Sequence, residues 1–109
     1  MMINILGRDY TFEHKTDKED ANLIENNGYC DFHGGEIVIK KHSDLHLPSV
    51  TKDYKRFLDG VIRHEIIHAF LFESGLKEYA QDETLVEWMA LQFPKIQAAI
   101  EQAGLSDAV

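Results

Sequence analysis

A chain of 109 residues with 44% apolar side chains is sized for one domain with a modest core, and it is too apolar to remain disordered. Its net charge of -8 argues against nucleic acid as a partner, because an acidic surface repels phosphate. A single cysteine, Cys30, excludes an intrachain disulfide, and no apolar run approaches membrane-spanning length. A single domain over residues 1–109, kept in a reducing cytoplasm with no membrane contact, is therefore expected.

In chain order, Ile3–Leu6, the turn Gly7-Arg8-Asp9 and Tyr10–His14 predict a β-hairpin, with Tyr10 and Phe12 alternating against Thr11 and Glu13. The polar stretch from Thr16 to Asn26 reads either as a short helix capped by Thr16 or Asp17, or as a loop. Asn27-Gly28 marks a turn. Tyr29–His33 and Glu36–Lys40 flank Gly34-Gly35, which predicts a second hairpin closed by a two-residue turn. The β-branched run Ile37-Val38-Ile39 suits a well-covered strand. His42–Ser49, with Pro48, reads as a loop.

A long helix follows from about Thr51 to Ser74, capped by Thr51 or Asp53. After residue 65 it is apolar on nearly every side, through Ile66, Ile67, Phe70, Leu71 and Phe72, so it is expected to be surrounded by protein. Gly75-Leu76 has the pattern of a Schellman stop. A second helix starts at Asp82, with Leu85, Val86, Met89 and Phe93 on its apolar face. Pro94 is expected to start a separate final helix that ends at Gly104, with Leu105–Val109 as a frayed tail.

The long helix carries His64-Glu65-Ile66-Ile67-His68, a His-Glu-x-x-His motif. Two histidines four residues apart share one helical face and can reach one ion. A glutamate beside the first can take a proton from a water held by that ion. The motif points to one Zn²⁺ ion with His64 and His68 as ligands and Glu65 as catalytic base. Catalytic zinc usually takes three protein ligands. No histidine follows His68, so the third should be a carboxylate. The downstream candidates are Glu73, Glu78, Asp82, Glu83, Glu87, Glu101 and Asp107. Glu83 opens a helix that a short loop folds back against the first, so we assign it as the ligand. Glu87, one turn on, is placed to accept the outer N–H of a ligating histidine. The reverse assignment, with Glu87 as ligand, stays open.

Three segments, Gly35–Ile39, Arg63–His68 and Glu83 ahead of Trp88 and Pro94, resemble the ImmA/IrrE-type metallopeptidases, and most of all their small phage or prophage members. The resemblance covers roughly Gly34 to Ile96. It implies a zincin-like fold in which a strand borders the cleft, the motif helix supplies two ligands and the following helix supplies a glutamate. Glu83 and Glu87 match the four-residue spacing of the gluzincin group. The usual Glu-Ala-Asn-x-Phe-Ala stretch is replaced here by Glu83-Thr84-Leu85-Val86-Glu87-Trp88. Phage members of such families cleave or antagonise repressor proteins.

The expected architecture is α+β: a minimal zincin-like domain whose small, mostly antiparallel sheet packs on the motif helix and one or two more helices. The expected function is zinc-dependent hydrolysis of a peptide or protein substrate, which would pair with strand Glu36–Lys40 at the cleft edge. Tyr79 is a candidate for oxyanion stabilisation. The alternative is a zinc-stabilised protein-binding module with little turnover. His14, His33, His42 and His46 read as ordinary strand and loop residues, Cys30 as a small core side chain, and Phe70, Phe72, Trp88 and Phe93 as core.

Overall fold

The computed structural model describes residues 1–41 and 52–104. The expected loop at 42–49, the Thr51 cap, the tail at 105–109 and the candidate ligand Asp107 lie outside the described residues. The chain folds as α+β, with a four-stranded mixed sheet and three α-helices.

Strands β1 (Met2–Ile5) and β2 (Arg8–Lys15) form the first hairpin. Its turn is Leu6-Gly7, not Gly7-Arg8-Asp9; both turn residues have positive φ, 52° and 94°. Such a turn matches the right-handed twist of the strands. Asn4 closes it by accepting from the Gly7 N–H and donating to Asp9, each at 3.0 Å. Thr16 and Glu19 exchange backbone and side-chain hydrogen bonds in a capping box, but only a short 3-10 helix follows, Ala21–Leu23, capped by Asp20.

Strands β3 (Gly28–Asp31) and β4 (Glu36–Lys40) pair antiparallel with Asp31 opposite Glu36. The connection is therefore the four residues Phe32-His33-Gly34-Gly35, not the expected two-residue turn. Asp31 explains the longer loop: its side chain accepts from the N–H groups of His33 and Gly34, at 3.1 and 2.9 Å, and its carbonyl accepts from Gly35. The strand order is β1-β2-β4-β3, and β2 pairs with β4 in parallel. β4 is thus internal, which is why Ile37, Val38, Ile39 and Lys40 are all buried. β3 forms an edge.

Helix α1 (Tyr54–Glu73) is capped by Asp53, whose side chain accepts from the Arg56 N–H at 3.0 Å. Leu58, Val61, Ile62 and Ala69 recur at helical spacing and pack on Ile5, Tyr10, Ile37 and Ile39 of the sheet. Gly75 stops the helix in a Schellman motif, with Leu76 N–H bonded to Leu71 O and Gly75 N–H to Phe72 O. A four-residue helix α2 (Lys77–Ala80) then occupies what the sequence suggested was plain connection.

Helix α3 (Glu83–Ala103) begins at the Asp82 cap and runs through Pro94 without a break. The separate final helix expected at Pro94 does not exist. A proline leaves the carbonyl four residues earlier without its helical donor. Here that carbonyl, of Ala90, accepts from Arg63 Nε of α1 at 3.0 Å. The outer side of the helical layer is also unlike the expectation. Phe70 is 46% exposed, Trp88 55% and Phe93 53%, so these aromatics are not core, and α1 is not enclosed on all sides. No helix among the described residues is long and apolar enough to cross a membrane.

Candidate metal centre

The Schellman stop and the short α2 turn the chain back so that the first turn of α3 faces the motif. Glu83 then places Oε2 2.9 Å from His64 Nε2 and Oε1 2.9 Å from His68 Nε2. The two Nε2 atoms are 3.1 Å apart. Glu83 also sits at the positive end of the α3 dipole, which favours its negative charge.

The outer ring nitrogens determine what the inner ones can offer. His68 Nδ1 lies 2.5 Å from the backbone carbonyl of Ala80. A carbonyl only accepts, so Nδ1 carries the proton and Nε2 presents a lone pair. His64 Nδ1 faces a carboxylate oxygen of Glu87 at 3.4 Å, which orients that ring the same way more weakly. Two nitrogen lone pairs and two carboxylate oxygens thus converge with no proton to share between neutral rings. A divalent cation would resolve that conflict. Tetrahedral zinc with bonds near 2.0 Å separates its ligand atoms by about 3.3 Å, close to the spacing found here. Among the described residues, His64, His68 and Glu83 are the group able to hold a metal ion; Cys30 is not part of it.

Glu65 borders the same cleft and is 7% exposed. It occupies the core-facing stripe of α1, between Val61 and Ala69, where an apolar residue would normally sit. No described group hydrogen-bonds its carboxylate. Burial pushes its pKa up to about 7; the nearby His64 opposes the rise, and the Glu83 and Glu87 charges add to it.

The cleft runs between β3, α1 and the start of α3, with Gly28, Tyr29, Cys30 and Phe32 on the strand side. The bordering strand is therefore β3, not Glu36–Lys40, which lies inside the sheet. Phe32 stacks on Phe72 with ring centres 4.5 Å apart, and it lies 6.3 Å from the His68 ring.

The other candidates are used elsewhere. Glu73 accepts from Tyr10 Oη at 2.6 Å and pairs with Arg8 at 3.1 Å. Asp82 is the α3 cap, and Glu101 lies in the last turn of that helix. Glu78 lies in α2 outside the cleft lining. Tyr79 is more than half exposed and does not line the cleft, so it is not placed as an oxyanion donor. Two contributors escaped the sequence reading: the Ala80 carbonyl, which carries no side-chain signal, and Arg63, whose adjacency to His64 was the only hint. Comparisons with protein-family models, curated protein sequences and solved structures give no match.

Proposed function

We propose that this chain is a zinc-dependent peptidase in which Glu65 is the general base. The observation that carries the reading is the combination of three convergent ligand groups with a buried, unpartnered carboxylate on the same cleft wall. A structural carboxylate would find a protein donor; one that is mostly buried, has no protein partner and opens only onto the cleft is suited to moving protons.

His64, His68 and Glu83 would hold the ion, with Ala80 O and Glu87 orienting the two rings. When bound, zinc supplies Lewis acidity, which polarises a carbonyl and acidifies water. Glu65 accepts the proton of the attacking water and returns it to the leaving amine; a pKa near neutrality suits both transfers. β3 is an edge strand along the cleft, so an extended peptide can add to it by backbone hydrogen bonds. The Phe32–Phe72 stack beside His68 offers an apolar surface to a substrate side chain. The motif segments support placing the chain among the small phage-type ImmA/IrrE metallopeptidases.

A zinc-stabilised binding module is the second reading, favoured by the half-exposed Phe70 and Phe93 on the outer helical face. Glu65→Gln separates the two. The peptidase reading expects bound zinc, measured by elemental analysis, to remain stoichiometric while cleavage of a peptide library falls at least a hundredfold. A wild-type chain that binds zinc and cleaves nothing defeats that reading and leaves the binding module.

A further inference from the structure

Ala90 is a buried residue in the middle of α3, and its carbonyl has lost its helical donor to Pro94. The group that replaces the missing N–H comes from a different helix: Arg63 Nε, at 3.0 Å. Arg63 is the residue immediately before His64. On the acceptor side, Glu87 lies about one turn and Glu83 about two turns before Ala90. One hydrogen bond therefore joins the two segments whose side chains converge at the candidate metal centre.

We propose that Arg63 is a positioning residue for that centre: its bond to the carbonyl freed by Pro94 sets the register of α3 against α1, and so holds Glu83 over the His64–His68 pair. The proposal rests on the metal reading given above.

A device of this kind is needed because the remaining contact between the two helices is weakly directional. The two helices share an apolar groove lined by Ile66, Ile67, Phe70, Met89 and Phe93, and apolar surfaces tolerate a sliding shift that a hydrogen bond does not. A shift of 1 Å moves Glu83 by a third of its distance to either imidazole. The donor is charged and partly buried, which strengthens the bond, and the planar guanidinium presents Nε–H in a fixed direction. Without Pro94, Ala90 O would be satisfied within its own helix, and the link to Arg63 would be redundant. The proline is thus what makes the carbonyl available.

Four proteins test this: wild type, Arg63→Met, Pro94→Ala and the double variant. Zinc affinity is measured for each by competition with a chromophoric chelator at 25 °C, with far-UV circular dichroism showing that each is folded. Arg63→Met is expected to weaken zinc binding about tenfold, in the range for groups that orient metal ligands. In the Pro94→Ala background the same change is expected to cost less than about threefold, because the alanine N–H takes over the Ala90 carbonyl. If Arg63→Met alone does not fold, the double variant, whose Ala90 carbonyl is satisfied by the alanine N–H, takes its place: folding recovered with zinc affinity still about tenfold below wild type supports the proposal, and folding recovered with wild-type affinity overturns it. Zinc affinity unchanged in Arg63→Met, or an equal loss with and without Pro94, also overturns it. A wild-type chain that takes up no zinc removes the metal reading itself, and the proposal falls with it; that result is distinct from wild-type binding with an indifferent Arg63.

Discussion

Glu65 and Glu73 sit two turns apart on the same helix, and both are largely removed from water, yet their surroundings differ in kind. Glu73 is tied down: Tyr10 Oη donates to it at 2.6 Å, and Arg8 reaches it at 3.1 Å. That Arg8 also donates to the carbonyls of Phe32 and His33, so Glu73 anchors the end of α1 to the β3–β4 loop. Glu65 is more deeply buried and has no hydrogen-bond partner among the described residues. The first arrangement stabilises a fold, because a buried carboxylate is tolerated when its oxygens are paired. The second costs stability and makes sense when the group must exchange protons in a cleft that also holds His64, His68 and Glu83. On the proposed reading, burial alone does not separate a structural acid from a chemical one; the hydrogen-bond partners do.

The contrast can be broken most easily at Glu73. Glu73→Ala leaves Tyr10 and Arg8 without their shared acceptor and is expected to destabilise the fold by about 2 kcal/mol in urea denaturation. On the proposed metal reading, the folded fraction should still bind zinc as tightly as wild type. If that variant instead lost zinc while remaining folded, the division between anchoring and chemistry would be wrong.

Glu65→Met has the opposite expected sign. Replacing an unpartnered buried carboxylate by an apolar side chain of similar volume should stabilise the zinc-free protein by about 1 kcal/mol at pH 8, read as a higher Tm in chelator. The folded pKa of Glu65 is raised from 4.5 to about 7, so its charge opposes folding fully above pH 7 and not at all well below 4.5. The gain from Met should therefore shrink at pH 5. A Tm that drops at pH 8 would mean that Glu65 has a stabilising partner after all.

The smallest effect sharpens the contrast through Cys30, which feels both acids. Burial pushes the thiol up to about 12, with the Glu65 charge the next cause, ahead of Asp31 and Glu73. Thiolate is the reactive form, so alkylation at pH 8 should be slow in the native protein and fast in urea. Glu65→Gln should speed native alkylation by about twofold to fivefold. An unchanged rate would place the Glu65 charge farther from the strand than its position on α1 implies.

Much of the site was legible because it depends on helical geometry. His64, Glu65 and His68 lie within two turns, and Asp53, Gly75 and Asp82 mark helix ends by hydrogen bonds spanning a few residues. The errors fall where a distant group decides. Gly34-Gly35 looked like a complete turn, but Asp31 claims the neighbouring N–H groups and lengthens the loop. Phe70 and Phe93 looked like core, but no described element covers the outer side of the two helices. Strand Glu36–Lys40 looked like the cleft edge until the parallel pairing with β2 put it inside the sheet.

Helix spacing and cap chemistry in the amino-acid order alone determined that two imidazoles and a glutamate share one helix, since the backbone ladder that aligns them closes within four residues. Which carboxylate meets those imidazoles, which carbonyl holds His68 and why Pro94 leaves α3 intact were decided only by the folded chain. Each depends on a group far away in sequence: Glu83 and Ala80 brought back by the Gly75 turn, and Arg63 donating across to another helix.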